Sequence, residues 1–214
     1  MRTRDIFSFG ESEPLDYPVE QGLLRYHPDW MGGTEAGAVY QQLAGALNWQ
    51  EERVRIAGRW VDVPRLVCWY GEENAVYCYS GVKHTPSPWN PLLLTLRHRL
   101  ENFCGQRFNS VLGNYYRSGQ DSMGWHSDDE PELGEEPSIA SLSLGAERRF
   151  RIRHKKTGAG FGIPLAHGSL LLMGGSLQRH YRHCLPKCSP KTQTDTLGRI
   201  NLTFRFIHPA KLPA

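Results

Sequence analysis

From Phe108 onward the chain reads as almost unbroken strand and turn, and this restricts the fold more than any other feature. Ile139–Leu144 alternates serine with apolar residues, and Arg149–Arg153 alternates arginine with Phe150 and Ile152. Ser169–Met173 is a short apolar run of the kind found in a strand buried on both faces. In Arg199–Ile207, period two places Arg199, Asn201, Thr203 and Arg205 on one face and Ile200, Leu202, Phe204 and Phe206 on the other. Two helices are expected upstream. Thr34–Leu47 spaces Val39, Leu43 and Leu47 four apart on one side. A second helix is bounded by Asn90 as N-cap, Pro91 at the first helical position and Gly105 as the stop, with Leu92, Leu93, Leu96, Leu100 and Phe103 between. Val61–Val67 and Ala75–Tyr79 are short strand candidates, and residues 1 to about 20 read as an irregular arm. Two helices followed by roughly eight strands predict an α+β protein with helices packed on one face of a β-sandwich.

Composition narrows the class further. A chain of 214 residues can bury a substantial core as one domain. The segment 1–106 is expected to hold the arm, the helices and a lid, and 107–214 the strand-rich core of the same domain. Five cysteines, Cys68, Cys78, Cys104, Cys184 and Cys188, are odd in number and irregular in spacing, which argues against a disulfide framework. No apolar run approaches the ~18 residues of a membrane span, and Met1–Gly10 lacks the apolar core of a secretory signal. A reducing cytoplasm, or the nucleus in a eukaryote, is the expected setting, with a monomer as the default. A net charge of +3 permits an anionic partner without requiring one.

The candidate chemistry centres on Trp125-His126-Ser127-Asp128. Residues two apart in an extended segment point to the same side, so the imidazole of His126 and the carboxylate of Asp128 face a common point. A further histidine would complete a two-histidine, one-carboxylate face with open positions, the arrangement suited to non-haem Fe(II). His180 and His183 both compete for that place. His183 is preferred because Cys184-Leu185-Pro186 marks a strand end after it. The polar face of Arg199–Arg205 adds two fixed cations whose planar forks match a carboxylate. Asn114 and Tyr116 share a strand face, and both can hydrogen-bond a bound acid.

Together the segments FNSVLGNYYRSG, GWHSDDEPEL, SIASLSLGAERRFRIRHKK, LAHGSLLLM, RHCLP and RINLTFR resemble the AlkB family of nucleic-acid demethylases, over about Ala38–Phe206. VRIAGRWVDVPR and YCYSG look most like the subgroup containing the animal duplex-repair member. The resemblance implies a double-stranded β-helix (jelly-roll) core, with an N-terminal nucleotide-recognition lid. It implies Fe(II) held by His126, Asp128 and His183. It also implies 2-oxoglutarate held by Asn114, Tyr116, Arg199, Thr203 and Arg205, with Asn201 on the same face. O2 would be the oxidant, with ascorbate as the reductant in vitro. In the family, the acid is decarboxylated to succinate while the alkyl carbon on a base nitrogen is hydroxylated and leaves as an aldehyde.

The substrate expectations follow from the same resemblance. A lesion in a duplex must leave the stack to be reached. YCYSG would place Tyr79 against the extruded base and Tyr77 nearby, with Cys78 between them. Asp129 and Glu130 would line the substrate side, where a carboxylate suits cationic bases such as 1-methyladenine and 3-methylcytosine. Arg53, Arg55, Arg59 and Arg65, and the run Arg148–Lys156, are candidates for phosphate contacts in DNA. Relatives that repair duplexes carry an aromatic wedge at the hairpin tip matching Ile56-Ala57-Gly58. Here the middle residue is Ala57, which predicts that single strands are handled at least as well as duplexes. Two alternatives remain: the same iron site acting on RNA, protein or lipid, and a zinc-stabilised binding module built from His180, His183, Cys184 and Cys188.

Overall fold

The computed structural model describes residues 12–56, 58–75, 77–79, 82–188 and 197–208, with backbone alone at 55–56, 77–79 and 82–84. The short strands β1 (Leu15–Asp16) and β2 (Leu23–His27) precede helix α1 (Gly33–Ala46). A long hairpin follows, made of β3 (Gln50–Ile56) and β4 (Arg59–Gly71). Next come a small ribbon, β5 (Tyr77–Tyr79) and β6 (Val82–His84), and helix α2 (Pro91–Cys104). The remainder is β7 (Ser110–Tyr116), β8 (Met123–His126), β9 (Ile139–Gly145), β10 (Arg148–His154), β11 (Gly160–Leu165), β12 (Ser169–Gly174), the turn-like α3 (Leu177–His180), β13 (Tyr181–Leu185) and β14 (Arg199–Arg205).

Two sheets face each other. The larger has the order β1-β2-β12-β9-β14-β7-β4-β3 and the smaller β11-β10-β13-β8. This is the jelly-roll arrangement, with helices on one outer face. The larger sheet takes strands from both 1–106 and 107–214. The arm expected at residues 1 to about 20 gives way to β1 and β2, and β2 pairs with β12 at Leu172↔Arg25. LLRYH lacks a clean alternation, which is why its sequence does not announce a strand.

The helices end where their chemistry dictates. The Asn90 side chain accepts from the Leu92 N–H, Pro91 opens α2, and Gly105 closes it in the left-handed region at φ 67°. Leu93, Leu96 and Leu100 are buried, but Phe103 lies at the surface. Arg99 shares the buried face with these leucines and pairs with Glu35 of α1 at 2.6 Å.

Two cores result. Val39, Tyr40 and Leu43 of α1 and Leu93, Leu96 and Leu100 of α2 pack on Ile200, Leu202 and Phe204 of β14 and on Ala140, Leu142 and Leu144 of β9. The second core lies between the sheets at one end and joins Phe150, Ile152, Ile163, Leu165 and Met173. The apolar face of β14 thus packs on the helices, as its alternation predicts, except that Phe206 falls beyond the strand and is exposed. The polar face of β14 turns into the space between the sheets. That placement creates the candidate site.

Candidate active site

Strand register assembles the site. His183 on β13 lies directly opposite His126 on β8, and Asp128 follows two residues after the end of β8. The candidate ligand atoms of His126, Asp128 and His183 all lie within 4.8 Å of one another. His126 Nε2 is 3.8 Å from one Asp128 oxygen, and His183 Nε2 is 3.9 Å from the other. No other group of three such residues gathers among the described residues. This selects His183 over His180, whose ring instead stacks on His154 with centroids 6.3 Å apart. It also removes the zinc-module alternative, since His180, His183, Cys184 and Cys188 do not converge.

The protonation states suit a metal. Burial pushes the His183 imidazole down to about 3, so it is neutral and its lone pair is available. His126 Nδ1 sits 2.9 Å from the Gly124 carbonyl. A carbonyl only accepts, so Nδ1 carries the hydrogen and Nε2 is left to ligate. Burial pushes the Asp128 carboxyl up, but the charges around it, led by the Arg205 guanidinium, more than offset this, and it sits below the ordinary carboxylate range. Arg205 donates to Asp128 Oδ1 at 2.9 Å. The Asp128 backbone N–H donates to Oε1 of buried Gln178 at 3.1 Å, which fixes the loop carrying the carboxylate. Two imidazoles and one carboxylate form a donor set matched to Fe(II).

Beside the triad, between the sheets, is a narrow cavity lined by Asn114, Tyr116, Arg199, Asn201, Thr203 and Arg205. The pairing of β14 with β7 sets Arg199 opposite Tyr116 and Asn201 opposite Asn114, so all four turn the same way. Arg199 is 2% exposed. It donates to Ser143 Oγ at 2.9 Å and lies over the Tyr116 ring at 5.3 Å. No carboxylate among the described residues pairs with it, and burial pushes its guanidinium down to about 10. The Nε groups of Arg199 and Arg205 are buried without a partner. Unpaired donors of this kind fit a small acid.

Asn201 lines the cavity as expected, but its donors are already engaged. Its amide donates to Ser141 Oγ at 2.9 Å and to the Leu142 carbonyl at 3.0 Å, and its oxygen accepts from Thr203 at 3.2 Å. Its donors are used within the wall, so it braces the cavity. Ser141 and Ser143 were legible in the alternation of Ile139–Leu144. Nothing local in the sequence marks Gln178.

An outer cleft of about 370 Å³ opens on the other side of the triad, lined by residues including Arg65, Trp69, Met123, His126, Asp128 and Glu130. One carboxylate oxygen of Glu130 is buried without a partner. Three expectations change here. Asp129 lines a neighbouring groove and pairs with Lys155 at 2.9 Å, because the turn after Asp128 directs successive side chains apart. Arg65 is buried and donates to Asn114 Oδ1 at 2.5 Å, so it is no surface phosphate contact. Arg148 is likewise buried and donates to the carbonyls of Ser118, Asp121 and Pro186. Of the hairpin arginines, Arg53 pairs with Asp62 at 3.0 Å and Arg59 is exposed.

The hairpin tip is tight: Ile56 pairs with Arg59, and Gly58 takes φ 81°. Ala57 lies outside the described residues, as do the side chains of Arg55, Ile56, Tyr77, Cys78 and Tyr79. The backbone at Tyr77–Tyr79 forms the β5–β6 ribbon, with Tyr77 opposite His84.

A two-histidine, one-carboxylate triad inside a jelly roll, beside a cavity with unsatisfied buried arginines, defines the class of non-haem iron oxygenases that use an acidic cosubstrate. The family model described as the 2OG-Fe(II) oxygenase superfamily matches residues 23–205. "Alpha-ketoglutarate-dependent dioxygenase alkB homolog 3" of Bos taurus is 41% identical over 192 residues, covering 85% of this chain and 65% of that one. The chain thus spans about two thirds of the length of that relative. "DNA oxidative demethylase ALKBH2" of Mus musculus is 37% identical over 238 residues, covering 97% of this chain and 95% of that one. Among solved structures, "The structure of OsALKBH1" has a TM-score of 0.58 at 16% identity, covering 90% of this chain and 100% of that one, a likeness of fold. The chain belongs to the 2OG-Fe(II) oxygenase superfamily and, within it, to the AlkB family.

Proposed function

We propose that this protein removes alkyl groups oxidatively from N-alkylated bases such as 1-methyladenine and 3-methylcytosine in DNA. The observation that carries this is the junction of three features: the His126-Asp128-His183 triad, the inner cavity with Arg199 and Arg205, and an outer cleft reaching the same triad from the opposite side. The relative named DNA oxidative demethylase ALKBH2 supports DNA as the substrate class.

His126, Asp128 and His183 would hold Fe(II), and Asn114, Tyr116, Arg199, Thr203 and Arg205 would hold 2-oxoglutarate. Bound together, iron and this acid supply the oxidant by coupling decarboxylation of the acid to activation of O2; ascorbate serves as reductant in vitro. The chain's own part is positional. Arg199 supplies a fixed positive charge in a buried site, where it favours a carboxylate more than it would in water. Arg205 keeps Asp128 ionised and oriented. The orphan oxygen of Glu130 offers the outer cleft an acceptor and a negative charge suited to a cationic base.

The DNA path is supported by one surface. Arg149, Arg151 and Arg153 of β10, Arg182 of β13 and Trp125 of β8 are all exposed. They form the outer side of the sheet wall whose inner side carries His126 and His183. No carboxylate among the described residues pairs with these four arginines, and Arg153 lies directly opposite Arg182, a like-charge pair that a phosphate would relieve. The segment 1–106 contributes the hairpin and the lid ribbon, and 107–214 the iron-site core. Ala57 cannot fill the gap left by an extruded base, so single strands are turned over at least as well as duplexes, and RNA is the alternative substrate. The protein works as a monomer in a reducing compartment.

The test is mass spectrometry of methylated oligonucleotides incubated with the protein, Fe(II), ascorbate and 2-oxoglutarate. Loss of one methyl group that depends on both iron and acid is expected. Succinate without demethylation would overturn the substrate; neither product from folded, metal-loaded protein would overturn the reaction. Comparing single-stranded with duplex substrates tests the reading of Ala57, which a strong duplex preference would refute.

A further inference from the structure

The inner cavity and the outer cleft share a wall, and Arg65 spans it. Arg65 lines the outer cleft from β4, yet its Nε reaches through to Asn114 Oδ1 on β7 at 2.5 Å. Asn114 lines the inner cavity. The two strands are direct neighbours, with Asn114 opposite Val67, so the contact is diagonal across the ladder. Both residues are buried.

A carboxamide in a cavity is ambiguous by itself: it can present an oxygen that repels an acid or an NH2 that binds one. Guanidinium has only donors, so whichever end of Asn114 faces Arg65 must be the oxygen. The NH2 is then left as the end available to the cavity. We infer that Arg65 is a positioning residue that locks the Asn114 amide with its donor toward the acidic cosubstrate. Arg65 thus makes Asn114 an anion-binding group without touching the anion. The inference rests on the reading of the inner cavity as the 2-oxoglutarate site. It also gives Arg65 a role separate from contact with nucleic acid, although one side of its guanidinium remains on the substrate side of the wall.

The experiment is a double-mutant cycle read by binding. Affinity for 2-oxoglutarate is measured by calorimetry on the full chain, loaded anaerobically with Mn(II), without nucleic acid. Arg65→Met keeps the stem and removes the donor; it should weaken binding about tenfold, the worth of one hydrogen bond to a charged group. Arg65→Lys retains a donor and should recover most of that loss. In an Asn114→Ala background, Arg65→Met should have little further effect, because the amide it orients is gone. Circular dichroism checks that each variant is folded, and Arg65→Leu replaces Arg65→Met if the latter is not. Equal losses in both backgrounds would make Arg65 a merely structural residue and overturn the inference. So would unchanged affinity of Arg65→Met. Failure of the unsubstituted protein to bind 2-oxoglutarate at all would instead overturn the cavity assignment, and the inference with it.

Discussion

Arg199 offers the sharpest test of the cavity assignment, because removing it should stabilise the protein while abolishing its response to the acid. Its guanidinium is almost wholly buried, donates to Ser143, lies against Tyr116 and leaves Nε unsatisfied. The fall from 12.5 to about 10, at about 1.4 kcal/mol per pH unit, puts the cost of holding that charge at about 3 kcal/mol. Arg199→Met removes this cost. It also loses the bond to Ser143, worth ~1–2 kcal/mol. The expected net gain without ligand is about 1–2 kcal/mol, a rise of roughly 2–8 °C in Tm for a chain of this size. Adding 2-oxoglutarate with Mn(II) should reverse the order. At about 100 times its Kd the acid should stabilise the unsubstituted protein by about 2.7 kcal/mol, and Arg199→Met by almost nothing. Differential scanning calorimetry with and without the acid reads both effects. A variant that melts lower than the unsubstituted protein without ligand would mean the arginine is satisfied structurally. A variant that keeps the acid-induced shift would mean the acid binds elsewhere. Either result refutes the reasoning.

Three further outcomes are expected. Asp128→Ala should abolish iron-dependent turnover, with metal affinity reduced at least ~100-fold, while binding of a single-stranded oligonucleotide by fluorescence anisotropy stays within about threefold; the metal term follows from losing the one anionic ligand. Asn90→Ala should destabilise the fold by about 1 kcal/mol in urea titration, because the Leu92 N–H loses its acceptor. Burial pushes the Cys68 thiol up to about 12, so it should resist alkylation by iodoacetamide at pH 8 in the native protein and react once unfolded; prompt native labelling, read by peptide mass spectrometry, would contradict its placement.

Much of the site was legible because strand geometry is local. Alternation along Arg199–Arg205 separates its polar and apolar faces whatever the rest of the chain does, and two-residue spacing puts His126 and Asp128 on one side. The helix at Pro91–Cys104 was equally readable, since its cap, its proline and its stop act within a few residues. Arg65 and Arg148 show where such reading fails. In sequence both are cations within basic stretches, and a basic stretch usually faces water; they are buried because carbonyl and amide oxygens from distant segments meet them. Asp129 stands next to a ligand, yet a turn directs it into another groove.

The sequence by itself determined the strand-rich class, the faces of each strand and the residue types able to hold iron and an acid, because all three depend on period and local chemistry. Only the tertiary structure decided between His180 and His183, through the β8–β13 register that sets His183 opposite His126. Only it turned Asn201 into a brace, left two arginine Nε groups without partners and ran Arg65 through a wall to Asn114. These facts depend on which strands become neighbours, and pairing between strands far apart in the chain is set by how the whole core packs rather than by any one segment.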